Sequence, residues 1–141
     1  MTVLLDTNVV SELMRKAPDP TVAVWAAGHR LENLFFSAVG EAELRYGAAI
    51  LPAGQRRETL VSDIEKMLGE AFENRVLPFD SGAARAYADI AARRRSTGRP
   101  VATADCQIAA IARSRRMAVA TRNVRDFEDA GIEVVDPWAA A

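Results

Sequence analysis

The sequence of 141 residues contains one cysteine, Cys106, and one histidine, His29. A single cysteine excludes a disulfide framework within the chain and is typical of a protein from a reducing cytoplasm. With one residue of each type, a zinc site of the usual cysteine and histidine composition is excluded as well. No apolar run approaches the roughly 20 residues of a membrane-spanning helix, and the first residues show no signal peptide. We therefore expect a cytoplasmic protein that does not enter a membrane.

Lysine is scarce, because only Lys16 and Lys66 occur among the 18 basic residues and the others are arginines. The net charge is −1, which excludes a uniformly basic nucleic-acid-binding protein. The arginines form clusters, as at residues 93–95 and at Arg122 with Arg125. Arginine suits phosphate binding, but such clusters also occur on solvated helix faces, and the sequence leaves both interpretations open.

The pattern of short apolar and longer amphipathic segments predicts an α/β fold. Half of the residues are apolar and 26% are charged, which is typical of one folded domain, here residues 1–141. Strands are predicted at residues 2–5, 34–36, 75–79, 117–121 and 132–135. Helices are predicted at residues 8–15, 21–30, 38–51, 55–73, 81–97 and 103–116, with Ser81 as the N-cap of the fifth. This alternation indicates a parallel sheet that is covered by helices on both faces.

Four acidic residues follow predicted strands or lie near the start of the next helix. Asp6 ends the first strand, and Glu43 lies on the helix after the second. Asp105 begins the last helix, and Asp126 follows the strand at residues 117–121. Sites in parallel sheets form outside the carboxyl ends of the strands, so these four could converge. Clustered carboxylates repel unless a cation joins them, and their hard oxygen atoms favour Mg²⁺ or Mn²⁺.

Each of these acids also has a purely structural interpretation. Asp6 is a candidate cap for the following helix, and Asp105 is a first-turn acid of the kind that the helix dipole favours. Glu43 is compatible with an ordinary helix surface, and Asp126 is followed by two further acids of the same charge. Taken one at a time, the residues do not decide between structure and function.

Several motifs run through the chain in order and together resemble one family. They are L-L-D-T-N-V-V-S-E (4–12), A-E-L-R-Y-G (42–47), L-P-F-D (77–80), A-T-A-D-C-Q-I-A-A (102–110), A-T-R-N-V-R-D-F (120–127) and V-V-D-P-W (134–138). The set resembles the PIN-domain ribonucleases, specifically the VapC and FitB-like toxins of bacterial type II toxin–antitoxin pairs. D-T-N alone is a weak signal, whereas the ordered set is specific. The resemblance implies a three-layer α/β/α domain with a five-stranded parallel sheet.

The resemblance implies that Asp6, Glu43 and Asp105 are acids of a metal site that takes Mg²⁺, with Mn²⁺ as a substitute. Two residues compete for the fourth position. Some relatives have an acid where this chain has Asn123, and others have asparagine there with an acid three residues later, which here is Asp126. We expect Asp126 to complete the acidic set and Asn123 to supply a polar contact.

Polar and basic neighbours of these acids are the expected substrate-binding residues, namely Thr7, Asn8, Thr103, Arg122 and Asn123. Helix capping is the alternative for Thr7 and Asn8, and Thr103 is a candidate cap as well. Cys106 has no partner histidine and is expected to be a buried, small apolar residue. Trp138 is interpreted as a packing or interface anchor rather than as a surface on which bases stack.

The activity that the resemblance implies is metal-dependent endonucleolytic cleavage of RNA. A metal-activated water would attack the phosphorus in line and leave 5′-phosphate and 3′-hydroxyl ends. The implied partner is a VapB-like antitoxin, whose C-terminal segment blocks the site and whose other end binds operator DNA. A homodimer is implied too, with the helices at residues 37–51 and 55–73 as the expected contacts.

Two other functions compete with this one. A haloacid-dehalogenase-like phosphatase also has an aspartate after its first strand, but it needs a second acid where this chain has Asn8. It also needs a late lysine, and no lysine follows Lys66. The other alternative is a degenerate PIN module that binds RNA or a protein without catalysis, which the open fourth acidic position favours.

Overall fold

The computed structural model describes residues 1–139, so residues 140 and 141 of the predicted domain lie outside the described part. Five short strands form one parallel sheet in the order β3-β2-β1-β4-β5. They are β1 (Val3–Leu5), β2 (Leu34–Ser37), β3 (Val76–Leu77), β4 (Ala118–Ala120) and β5 (Val134–Val135). The first strand is central, and the strand order reverses beside it, which is where parallel sheets open a crevice at their carboxyl edge.

Helices cover both faces of this sheet. They are α1 (Thr7–Leu13), α2 (Pro20–Ala27), α3 (Ala38–Ala49), α4 (Gln55–Lys66), α5 (Ser81–Ser96) and α6 (Thr103–Ser114). Alternate residues of β1 point to opposite faces, so Leu4 packs in one core cluster while Val3 and Leu5 pack in the other. These layers confirm the predicted α/β/α arrangement. No helix within residues 1–139 has the length and apolar character to cross a membrane.

The boundaries differ from the predicted ones by a few residues, and two predicted caps are wrong. Asp80 caps α5, because its carboxylate accepts a hydrogen bond of 3.0 Å from the backbone N–H of Ala83, so Ser81 is already helical. Thr103 does not cap α6, which begins after Ala102 without a side-chain hydrogen bond. In both cases the N-cap of the helix is the residue immediately before the predicted one.

Two segments have secondary structure that the hydrophobic pattern of the sequence does not predict. The helix predicted at residues 55–73 is α-helical only to Lys66 and continues as a π-helical segment over Met67–Ala71. The stretch after β4 forms a 3₁₀ turn, Val124–Phe127, and this turn carries Asp126.

Candidate active site

Asp6 lies at the carboxyl end of the central strand, and its side chain is buried, with 4% of its surface exposed. Its Oδ1 accepts a hydrogen bond of 2.8 Å from the backbone N–H of Thr7, and its Oδ2 accepts one of 2.8 Å from the hydroxyl of Thr121. Asp6 is therefore the N-cap of α1. The same carboxylate also lines the crevice at the sheet edge, so capping α1 does not exclude a role for Asp6 in the site.

Four carboxylates share one electrostatic environment. Burial raises the pKa of Asp6, the hydrogen bonds from Thr121 and Thr7 oppose that rise, and the charges of Glu43 and Asp126 add to it. Burial also raises the pKa of Asp105 to about 6, with further contributions from the charges of Asp6, Asp126 and Glu43. The excess negative charge at this edge of the sheet is what attracts a cation.

Glu43 lies exposed on α3, the helix that follows β2. Its Oε1 accepts a hydrogen bond of 2.6 Å from the hydroxyl of Thr7. Thr7 thereby contacts two acids, because its backbone N–H reaches Asp6 while its side chain reaches Glu43. The role of Thr7 in the structure is to orient carboxylates rather than to cap α1.

The two candidates for the fourth acidic position, Asn123 and Asp126, lie in one turn after β4. Asn123 lines the same cavity as Asp6 and Asp105. The backbone N–H of Asp126 donates to the carbonyl oxygen of Asn123 at 3.0 Å, so the two residues belong to one tight turn. The charge of Asp126 raises the pKa of both Asp6 and Asp105. Asn123 thus contacts the cavity, and Asp126 contributes charge to it.

The crevice has a volume of about 570 Å³. It is lined by Asp6, Thr7, Asn8, Ser11, Glu12, Arg15, Glu43, Asp105, Arg122, Asn123 and Trp138. The structure therefore brings together the three acids at positions 6, 43 and 105 and four of the five predicted substrate-binding residues. Thr103 is the exception, since it is exposed at the start of α6 and is not among the lining residues.

Sequence reasoning missed Thr121, which is fully buried beside Asp6. Its hydroxyl oxygen accepts a hydrogen bond of 2.9 Å from the backbone N–H of Asn123 while its proton is donated to Asp6. Thr121 lies within the motif at residues 120–127, but as the last residue of a predicted strand it carried no signal of its own. Only the pairing of β4 with β1 brings its hydroxyl to the acid.

Arg94 corrects the interpretation of the arginine cluster at residues 93–95. Its side chain is buried, with 5% exposed, so it neither binds phosphate nor covers a solvated helix face. It donates to the carbonyl oxygens of Arg99 at 2.6 Å and Glu128 at 2.9 Å, with longer contacts to those of Arg125 and Asp126. Arg94 therefore anchors the turn that carries Asp126. Cys106 is buried, as predicted, and burial raises the pKa of its thiol.

The donor set fits a hard divalent cation. Within residues 1–139 no three acidic, histidine or cysteine side chains are grouped closely enough to hold a metal ion by themselves. Mg²⁺ does not need such a cage, because it usually keeps several waters and takes one or two carboxylates together with substrate phosphates. Asp6 and Asp105 have only oxygen donors, and burial together with the charge of neighbouring acids raises the pKa of each, so these two residues meet that requirement.

The model of the PIN domain family matches residues 3–133. The chain is 46% identical to plasmid stability protein StbB of Pseudomonas syringae pv. tomato, over 98% of this chain and 99% of that one. It is 42% identical to VapC ribonuclease Y4jK of Sinorhizobium fredii, with 99% of both chains covered. It is 39% identical to toxin FitB of Neisseria gonorrhoeae, over 96% of this chain and 98% of that one.

Solved structures show the same architecture. The crystal structure of FitAcB from Neisseria gonorrhoeae superposes with a TM-score of 0.91 at 38% identity, over 98% of this chain and 99% of that one. The structure of FitAB bound to a DNA fragment gives a TM-score of 0.92 at 38% identity, with 99% and 98% covered. The chain therefore belongs to the PIN domain family, as a VapC/FitB-like member.

Proposed function

We propose that this chain is a Mg²⁺-dependent endoribonuclease, the toxic component of a type II toxin–antitoxin module that acts in the cytoplasm as a single PIN domain. The observation that carries the proposal is the meeting of Asp6, Glu43 and Asp105 with the charge of Asp126 at the carboxyl edge of the sheet. The similarity to a VapC ribonuclease supports RNA as the substrate.

Asp6 and Asp105 would hold the ion, and Glu43 and Asp126 would complete its surroundings directly or through water. When bound, Mg²⁺ lowers the pKa of a water and offsets the charge that grows on the phosphate. Two threonines of the site hold its carboxylates in place. Thr121 and Thr7 hold the carboxylates of Asp6 and Glu43, as their hydrogen bonds of 2.8 and 2.6 Å indicate.

The substrate side of the crevice carries the remaining polar groups. Arg122 offers a guanidinium to a phosphate that flanks the scissile bond, and Asn8 and Asn123 offer amides to the sugar and phosphate oxygens. These contacts hold the backbone and read no sequence. We expect in-line attack by water, with 5′-phosphate and 3′-hydroxyl ends and no covalent enzyme intermediate.

The proposed partners are a VapB-like antitoxin and a second copy of the chain. The FitAB structure on DNA supports an antitoxin that binds operator DNA. The homodimer is supported by three exposed, large apolar side chains, namely Tyr46 on α3, Ile50 at the C-cap of α3 and Val61 on α4, which are exposed by 66%, 63% and 42%. A monomer in sedimentation at micromolar concentration would count against the homodimer.

One observation favours the second candidate, a PIN module that binds RNA or a protein without cleavage. Asp126, the expected fourth acid, is not among the residues that line the crevice. An ion held without that acid would add stability but no catalysis.

The experiment that separates the two compares Asp6→Asn with Asp89→Asn in the cleavage of total RNA by protein free of antitoxin. Asp89 is a matched control because it undergoes the same change on the exposed surface of α5. We expect discrete fragments from the wild type and from Asp89→Asn, and none from Asp6→Asn. Thermal stabilisation by Mg²⁺ without cleavage of any RNA would establish the binding module instead.

A further inference from the structure

Trp138 is held rigidly at the rim of the acidic crevice. It follows β5 in a short turn, in which its backbone N–H donates to Oδ1 of Asp136 at 2.9 Å and the N–H of Ala139 donates to the carbonyl oxygen of Asp136 at 3.1 Å. The indole packs in part against the apolar cluster that includes Val3 and Leu5, and it also lines the crevice. One part of the side chain is therefore anchored in the core while another borders the acids.

The guanidinium of Arg122 lies over this indole, with Cζ 5.0 Å from the ring centroid. That distance is within the range of a cation–π contact. The backbone N–H of Arg122 also donates to Oδ1 of Asn8 at 3.4 Å, so the main chain is tied to α1 while the side chain rests on the ring. The contact holds the exposed side chain of Arg122 above the indole ring of Trp138.

Arg122 differs from Arg15, the other arginine of the crevice. Arg15 is paired with Glu12 at 3.2 Å. Within residues 1–139 no carboxylate lies within ion-pair distance of Arg122. With no carboxylate paired to it, the guanidinium of Arg122 keeps its N–H donors available to a ligand. Arg122 is thus the arginine of this crevice that can give its donors to a phosphate.

The chemistry of the crevice needs such a group. A phosphate that approaches several carboxylates is repelled, and a cation at the rim lowers that repulsion and fixes the position of the strand. We propose that Trp138 is a positioning residue, which orients Arg122 through the cation–π contact so that the guanidinium binds an RNA phosphate beside the scissile bond. This inference rests on the proposed nuclease function. It replaces the interpretation of Trp138 as only a packing or interface anchor.

The test compares Trp138→Leu, Trp138→Phe, Arg122→Ala and the double variant Trp138→Leu/Arg122→Ala. Affinity is measured in the Asp6→Asn background with a fluorescein-labelled RNA oligonucleotide that copies the site cut in total RNA by the wild type. Leucine keeps apolar volume in the core and removes the ring, whereas phenylalanine keeps a weaker cation–π partner. Trp25→Leu is the matched control, because Trp25 on α2 packs against the same apolar cluster as Trp138 but is absent from the crevice lining.

We expect Arg122→Ala to weaken binding about 10-fold and to reduce the slope of log affinity against log salt by about 1. Trp138→Leu should weaken binding about 3- to 5-fold, and Trp138→Phe by less than about 2-fold. In the double variant the tryptophan change should add no further loss, because its effect passes through Arg122. In the catalytic background, KM should rise with little change in kcat.

The outcomes separate the inference from the function on which it rests. If the wild type cleaves no RNA, the proposed function fails and this inference fails with it. If the wild type cleaves RNA but Trp138→Leu binds as tightly as the Trp25→Leu control, the positioning role is wrong. If the losses of Trp138→Leu and Arg122→Ala are additive, Trp138 acts by packing alone, and the inference is overturned. Thermal unfolding of each variant verifies that it is folded.

Discussion

The hydroxyl of Thr121 donates a hydrogen bond of 2.8 Å to Oδ2 of Asp6 and so joins the ends of two neighbouring strands, β4 and β1. Both side chains are buried. The oxygen of the same hydroxyl accepts a bond of 2.9 Å from the N–H of Asn123. Because a hydroxyl has one proton to donate, these two contacts direct that proton at Asp6. The orientation of the first acid is therefore set by a residue of a different strand.

Thr121→Val keeps the shape of the side chain and removes the hydroxyl. We expect Mg²⁺ affinity and RNA cleavage to fall about 10- to 100-fold, as is usual when a metal ligand loses its hydrogen-bond donor. The pKa of Asp6 should rise further, because the bond from Thr121 opposes the effect of burial. Calorimetric titration with Mg²⁺ measures the change in affinity, and the rate of RNA cleavage measures the change in activity. Thr121→Ser is the control, because it keeps the hydroxyl. If Thr121→Val binds Mg²⁺ and cleaves RNA as well as Thr121→Ser does, the hydroxyl of Thr121 has no role in the site.

Asp126→Asn tests the fourth acidic position. Its charge raises the pKa of Asp6 and Asp105, so removing that charge should lower both pKa values. If Asp126 also completes the metal site, cleavage should fall at least about 100-fold, whereas Asn123→Ala should cost about 10-fold at most. Cleavage rates at saturating Mg²⁺ decide the matter. A larger loss in Asn123→Ala than in Asp126→Asn would reverse the assignment.

The raised pKa of Asp105 predicts a pH-dependent stability in the absence of metal. The pKa is about 6 in the folded protein, against about 3.9 in an unfolded chain. The folded state therefore binds the proton more tightly, and the stability that this provides is full below about pH 4 and is lost as the pH rises through about 6. Asp105→Asn should raise the free energy of unfolding near neutral pH by on the order of 1 kcal/mol. The change removes a charge that is disfavoured first by burial and then by the neighbouring acids, and solvent screens part of both effects.

Urea unfolding at about pH 4 and at about pH 7.5, in EDTA, measures this difference. Asn and protonated Asp are alike in charge, so we expect the variant to match the wild type at the lower pH. Added Mg²⁺ should stabilise the wild type more than the variant at the higher pH. An equal change in stability at both pH values would mean that neither burial of the Asp105 charge nor repulsion from the neighbouring acids is its cause.

Arg94→Met tests the anchor of the turn that carries Asp126. The change leaves several carbonyl oxygens without the guanidinium that donates to them in partly buried hydrogen bonds, among them those of Arg99 and Glu128. We expect a loss of roughly 2–4 kcal/mol in the free energy of unfolding, together with reduced cleavage. Arg93→Met is the neighbouring, exposed control and should change stability by less than about 0.5 kcal/mol. Equal stabilities of the two variants would show that the buried contacts of Arg94 contribute nothing.

The sequence identified the acids because their positions depend on local pattern. Asp6 follows a run of three buried strand residues, Glu43 lies on the helix that follows β2, and Asp105 lies in the first turn of α6, the second helix after β3. The alternation of strands and helices along the sequence predicts a parallel sheet. Such a sheet places residues that follow its strands at one edge, where a crevice forms. These steps need no knowledge of distant contacts.

The parts that sequence reasoning missed depend on such contacts. Thr121 acquires its role only when β4 pairs with β1, and Arg94 is buried only because the turn after β4 folds over α5. Trp138 reaches the crevice through a turn that follows a strand of two residues, which is too short for a periodic signal. The cap of α5 was assigned one residue late, since Ser81 and Asp80 are both good caps and only the backbone decides between them.

The central claim is that the carboxylates at the edge of this sheet hold a divalent cation for the hydrolysis of RNA. The most direct measurement is the cleavage of total RNA by purified protein, free of antitoxin, in Mg²⁺, in Mn²⁺ and in EDTA, with the ends of the fragments mapped. The account predicts discrete fragments with 5′-phosphate and 3′-hydroxyl ends in either metal and none in EDTA or from Asp6→Asn. Cleavage that persists in EDTA, or in Asp6→Asn at the wild-type rate, would contradict it.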